Sequence, residues 1–292
     1  MASFFNQLLI EPMSLPFMQR ATLATILIGI VCGVMGAYVV TRGMAFLGDA
    51  LAHTILPGVA VAYLATGGNP QWVFVGGLGG GVISAIVIGF LTRAGRLSED
   101  TAIGVVFAGA LALGIGIISR AQSYTTDLTH ILIGNVIAVS NDDLLLITVI
   151  GGLVLLAIFF FYKEFLVVSF DPTLSQTLRL PGERLRLFLL ILLALTVVIS
   201  LQAVGVALVA ALLVTPAATA RFFVRRLHHM MILGAAIGAV GGVIGMYVTW
   251  HARIAPSAGI VLTLTAIFAL AFLFAPHKGF VWSLLGKTAQ RA

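Results

Sequence analysis

The sequence predicts an all-α protein that crosses a membrane about nine times. Three observations carry that reading: the composition, the spacing of long apolar runs, and the placement of the basic residues. Of 292 residues, 60% are hydrophobic and only 9% are charged, whereas soluble domains carry roughly 25% charged residues. A crossing helix needs about 20 mainly apolar residues. Runs of that kind occur near 19–41, 44–66, 71–92, 101–119, 143–162, 185–203, 204–222, 230–250 and 257–275. The sixth and seventh abut at Gln202–Gly205, and reading them as one broken element gives eight spans instead of nine. The domains expected are an N-terminal interfacial segment over 1–18, a transmembrane domain over 19–275 and a tail over 276–292.

Orientation follows from lysine and arginine, which favour the cytoplasmic side. Arg42, Arg93, Arg96, Lys163, Arg179, Arg184, Arg186, Arg221, Arg225, Arg226, Lys278, Lys287 and Arg291 fall on one side, 13 of the 16, and Arg20, Arg120 and Arg253 on the other. With nine spans the N-terminus is outside and the tail is cytoplasmic. The net charge of +6 is therefore a topology signal. It is scattered over helix ends rather than gathered into a patch, and no nucleic-acid partner is expected. The single cysteine, Cys32, excludes a disulfide framework and a cysteine metal cluster. Residues 1–19 have no cationic stretch before their apolar residues and carry Pro12 and Pro16, which reads as an interfacial segment rather than a cleaved signal.

Acidic residues are mostly explained by position. Glu99 and Asp100 follow Ser98 at the start of the fourth span, and Asp142 and Asp143 follow Asn141 at the start of the fifth; helix N-termini favour negative charge. Glu164, Asp171 and Glu183 fall in a cytoplasmic loop, and Glu11 and Asp127 in non-spanning segments. Asp49 is left inside the run 44–66, where insertion costs about 2.5–3.5 kcal/mol. His53 is four residues on, hence on the same helix face. A carboxylate oxygen and an imidazole nitrogen so placed are half of a divalent-metal site; the competing reading is a buried hydrogen-bonded pair that locks two helices. His130, His228, His229, His251 and His277 all read as solvated or interfacial. Glycines cluster at 76–81 and 234–245, with spacings such as Gly77-xxx-Gly81 and Gly238-xxx-Gly242 that let helices approach closely. Between the fourth and fifth spans, His130–Val139 reads as a short outer-leaflet or re-entrant helix.

Catalytic motifs are missing. Gly286-Lys287-Thr288 lacks the glycine that a phosphate loop needs, since position 281 is Val281. There is no HExxH and no G-x-S-x-G. The chain is not expected to be an enzyme.

Arg42-Gly-Met-Ala-Phe-Leu-Gly-Asp-Ala-Leu-Ala-His-Thr-Ile-Leu-Pro-Gly58 closely resembles the signature of metal-ion ABC transporter permeases, which import manganese, zinc or iron. Asp127–Ser140, Phe170-Asp-Pro172 and Val204–Arg221 are similar to three further stretches of that family, in family order. The resemblance covers about Gln19 to Phe274. It implies an ABC importer permease fold in a bacterial cytoplasmic membrane. It also implies a homodimer docked on a cytoplasmic ATP-binding cassette subunit, where ATP is hydrolysed, and fed by an extracytoplasmic metal-binding protein. The family's in-membrane metal residues map onto Asp49 and His53. No permanently bound cofactor is implied, only the transported divalent ion, and the Leu56-Pro57-Gly58 ending favours manganese. His130 stands where the family commonly has an aromatic residue, and Arg179 where a glycine is common.

Thr215-Pro216 is expected to interrupt the seventh span. Arg221 to His229 is expected to follow as a short amphipathic helix with Phe222, Phe223 and Leu227 exposed. Chiefly from the resemblance, Arg221, Phe222, Phe223, Arg225, Arg226 and Leu227 would couple to the ATPase, with the loop Asp171–Arg186 as a second contact. The same basic, aromatic composition also suits a helix lying on anionic lipid. The alternative function is a gradient-driven secondary metal transporter, which calls for inverted internal repeats; no convincing repeat is visible.

Overall fold

A computed structural model describes residues 11–93, 97–119 and 136–275, and all regular structure among them is helical. Helix α1 spans Pro16–Thr41. The second span is made of α2 (Leu47–Thr54) and α3 (Leu56–Thr66). It is followed by α4 (Pro70–Leu91), α5 (Glu99–Ile118), a 3-10 turn (Val136–Ala138) and α6 (Asn141–Phe160). Two helices too short to cross come next, α7 (Tyr162–Phe170) and α8 (Pro172–Thr177). The last four are α9 (Gly182–Val204), α10 (Val206–Phe223), α11 (Leu227–Ala252) and α12 (Pro256–Phe274). Nine stretches among the described residues are long and apolar enough to cross a membrane, each within a few residues of its expected position. The eight-span alternative fails at Gly205, whose backbone (φ 82°, ψ 167°) ends α9 before α10 begins; that region is open essentially to glycine alone.

Local chemistry sets several of the starts. Asn69 caps α4, its side chain accepting from the Gln71 N–H, and Pro70 opens the helix. Ser98 caps α5 through the Thr101 N–H. At α6 the capping is reciprocal: the Ser140 hydroxyl accepts from the Asp143 N–H at 3.1 Å, and the Asp143 carboxylate accepts from the Ser140 N–H at 2.9 Å.

The described chain forms two compact units. The first contains α1, the 3-10 turn, the opening of α6, most of α10, α11 and α12. Its seam is glycine on glycine. A Cβ placed on Gly33 would lie 2.5 Å from the Gly234 carbonyl carbon, and one on Gly29 would lie 2.7 Å from that of Gly238. The row Thr25–Gly29–Gly33 of α1 thus meets the row Gly234–Gly238–Gly242 of α11, both at four-residue spacing. Gly241 and Gly245 turn instead to Leu264 and Ile260 of α12. The second unit holds α2–α5, the rest of α6, α7–α9 and the first residues of α10. There α3 packs on α4 through Gly58 and Gly76, α4 packs on α9 with Gly81 against Val198, and α3 packs on α5 with Leu56 against Gly114. Phe161, Phe165 and Phe188 hold α7 to α9 at ring separations of 5.5–6.0 Å.

Two expectations are corrected. Pro216 does not interrupt the seventh span: α10 runs through it to Phe223. Proline removes one backbone bond, but membrane helices tolerate that loss where neighbours take up the freed group. Nor is there a separate amphipathic helix over 221–229. Arg221–Phe223 close α10, residues 224–226 form the link, and Leu227 opens α11. The tail 276–292, Arg96, Arg120 and the expected outer helix from His130 through Asn135 lie outside the described residues.

Candidate functional site

The second span is built differently from its neighbours. Helix α1 stops at Thr41, Gly43 takes a left-handed turn (φ 73°), and helix resumes only at Leu47. Asp49 therefore sits in the first turn of α2, where exposed backbone N–H groups favour a carboxylate. This corrects the expectation that Asp49 has no helix-end role. Pro57, near the start of α3, has no N–H to return to the preceding turn, and the span breaks at Ile55. The Thr54 carbonyl at the break accepts from the Ser84 hydroxyl of α4 at 3.4 Å.

His53 lies in the last turn of α2. Its Nε2 is 3.9 Å from Oδ1 of Asp49, with the two side chains 27% and 39% exposed. That separation is too long for a hydrogen bond, so the hydrogen-bonded lock is not what the geometry contains. It does suit a shared ion, because two donors each about 2.1 Å from one metal are at most about 4.2 Å apart. The Nδ1 atom of His53 is buried without a hydrogen-bond partner. The ring is held by aromatic edges instead: Phe107 of α5 meets it at 5.6 Å and 73°, and Phe46 meets Phe107 at 5.7 Å and 76°. Sequence reasoning missed Phe107; its place eight residues after Glu99 carried no signal without the packing of α5 on α2. Among the described residues no group of three or more histidine, cysteine, aspartate or glutamate side chains gathers. At this site the described residues of one copy therefore offer two such donors.

The expected coupling residues are divided. Arg221, Phe223, Arg225 and Arg226 are exposed at the α10–α11 link. Phe222 is half-buried against Phe268 and Phe272 of α12. Leu227 is 6% exposed, which corrects its expected exposure: it begins the inward stripe that Met230, Met231 and Gly234 continue along α11. In the other expected contact region, Phe170, Leu174 and Leu178 stand exposed on and just after α7 and α8. Arg179 there has φ 54°, the left-handed conformation that glycine adopts most readily.

The chain is 44% identical over 271 residues to a manganese transport system membrane protein MntC of Listeria monocytogenes, covering 93% of this chain and 95% of the relative. It is 40% identical to a manganese import system permease protein ScaB of Streptococcus gordonii, over 91% of this chain and 94% of the relative. A probable iron transport system membrane protein of Haemophilus influenzae is 36% identical, over 91% and 96%. Among solved structures, PsaBC from Streptococcus pneumoniae in complex with Fab superposes with a TM-score of 0.79 at 36% identity, over 95% of this chain and 98% of that one. The model of the ABC 3 transport family matches residues 14–275, and the chain belongs to that family.

Proposed function

We propose that this chain is the transmembrane permease subunit of an ATP-driven importer for a divalent transition metal ion, with manganese favoured over zinc or iron, in a bacterial cytoplasmic membrane. The observation that carries the metal site is the pair of facing donors on α2, Asp49 Oδ1 and His53 Nε2, 3.9 Å apart and not hydrogen-bonded to one another. Two donors are too few for a divalent ion. A two-fold pair of copies supplies two carboxylates and two imidazoles, a set suited to manganese, zinc or ferrous iron. The manganese preference is supported by the relatives at 40–44% identity, whose names are those of manganese transporters. The ion is cargo, and the aromatic edges of Phe46 and Phe107 limit how far the imidazole can swing as it loads and unloads.

ATP hydrolysis belongs to a separate cassette subunit, and a metal-binding protein delivers the ion from outside. The contact with the ATPase is assigned to the exposed apolar side chains Phe170, Leu174 and Leu178. With them go the exposed part of the α10–α11 link, namely Arg221, Phe223, Arg225 and Arg226. Phe222 and Leu227 support that link from within. The test is uptake of manganese into vesicles holding the complete complex. Asp49→Asn and His53→Ala are each expected to abolish uptake while assembly with the ATPase persists. Near-normal uptake by a well-folded Asp49→Asn complex would refute the metal-site assignment.

A further inference from the structure

Within the second unit, one carboxylate is shared by two guanidinium groups. Oε1 of Glu99 lies 2.6 Å from Nη2 of Arg42 and 2.9 Å from Nε of Arg186. The three residues come from the link after α1, the first residue of α5 and the opening of α9. Their side chains are 9%, 25% and 27% exposed for Arg42, Glu99 and Arg186. Burial pushes the Arg42 guanidinium below its usual value against the pull of Glu99, and Arg186 adds to the lowering. Its Nη1 is buried with no hydrogen-bond partner. The neighbouring pair Arg93–Glu183, by contrast, is exposed on both sides and is worth little.

Two positive groups on one carboxylate leave a charge in excess, and desolvating such a cluster offsets much of what its contacts return. Its value is better sought in fixing one arrangement against another, the best-attested use of buried ion pairs. What it fixes here is the surroundings of the metal donors. Arg42 stands in the link that leads into α2, and α2 packs against both α5 and α9, the helices that carry Glu99 and Arg186. Helix α5 also carries Phe107, whose ring meets the imidazole of His53. Glu99 and Phe107 are eight residues apart on one helix, about 12 Å along its axis. A shift of α5 at one end is therefore felt at the other.

We propose that Arg42, Glu99 and Arg186 form a positioning latch for metal release: the cluster holds α5 and α9 against the entry to α2, and the ion leaves toward the cytoplasm only when it parts. The proposal rests on the metal-site reading above. It assigns these residues no contact with the ion. Their effect is on the tie between ATP hydrolysis and metal movement.

The experiment uses the full complex in lipid vesicles and reads manganese ions taken up per ATP hydrolysed, together with manganese leak without ATP. Glu99→Gln keeps the shape and removes the shared charge. Its ratio is expected to fall about fivefold or more, the lower range of ordinary coupling energies, with a raised leak. Arg186→Gln leaves the shorter pair and is expected to do less, while Arg42→Lys, which keeps the charge, is expected to retain more coupling than Arg42→Gln. An assembled Glu99→Gln complex with the wild-type ratio and leak overturns the latch. If Glu99→Gln fails to assemble, wild-type ratios in both Arg186→Gln and Arg42→Gln overturn it equally. Asp49→Asn in the same vesicles separates the two ideas. Uptake retained there refutes the metal site, whereas uptake lost there beside normal coupling in Glu99→Gln refutes the latch alone.

Discussion

Replacing Gly33 by alanine tests the packing of the first unit at its tightest point. The new Cβ would stand 2.5 Å from the Gly234 carbonyl carbon and 2.6 Å from both the Gly234 oxygen and the Ala235 nitrogen. Carbon atoms in good contact sit about 3.5–4.0 Å apart, so α1 and α11 must separate by about 1 Å. Every atom met is backbone, and no rotamer change relieves the clash. Overpacking of this kind costs about 1–3 kcal/mol. Alanine also favours helix over glycine by up to about 1 kcal/mol, which blurs the absolute value. A comparison removes that ambiguity. Gly79 in α4 and Gly152 in α6 have no heavy atom within 4 Å of the equivalent Cβ in one copy, and alanine there brings the same propensity gain with no clash. The stability difference between Gly33→Ala and these controls is thus the clash alone, about 1–3 kcal/mol. Denaturant titration of the purified protein in mixed micelles, followed by circular dichroism, measures it. Equal stability of Gly33→Ala and Gly79→Ala would refute the close seam between α1 and α11.

Other outcomes follow from particular side chains. Leu227→Asp should lose at least the about 2–5 kcal/mol of deleting a buried leucine and lower the yield of folded protein. Phe223→Asp, four residues earlier but 49% exposed, should fold normally and weaken binding of the ATPase in a pull-down. Arg179→Gly and Arg253→Gly should each stabilise by about 1 kcal/mol, since both residues hold φ near 55° and a side chain in that region costs about 1–2 kcal/mol; thermal unfolding in detergent would show unchanged or lower midpoints if the strain were absent. Single cysteines replacing Asn69 or Arg253 should react with an impermeant reagent from outside, and one replacing Arg225 only after the membrane is opened.

Span positions were legible because hydrocarbon imposes a length and a composition on any helix that crosses it, and these runs meet both. The break between the sixth and seventh was visible only as a weak boundary at Gln202–Gly205. It needed the backbone angles of Gly205 to become two helices. The residues at the α10–α11 link were misread for a related reason. A periodic pattern places side chains on a face only once the helix ends are known, and the link at 224–226 resets the register, turning Leu227 inward. A cue was present in the spacing of Leu227, Met230, Met231 and Gly234, which continues the glycine row of α11. At the candidate site, the closeness of Asp49 to His53 was legible from their four-residue spacing. The ring of Phe107 and the bridging role of Glu99 were not, because contacts across 54 and 57 residues of chain leave no local periodicity.

If Asp49 and His53 are a half-site completed by a second copy, as proposed above, the unit of inheritance for transport is the pair rather than the polypeptide. If copies assemble at random into two-fold dimers, a cell making equal amounts of wild-type chain and Asp49→Asn chain forms only about a quarter fully intact sites. A damaged copy is then worse than an absent one: it occupies a place at the interface and spoils its partner's donors along with its own. The gene for such a membrane subunit should behave as a dominant-negative allele under co-expression, whereas a lesion that prevents folding, such as Leu227→Asp, should stay recessive.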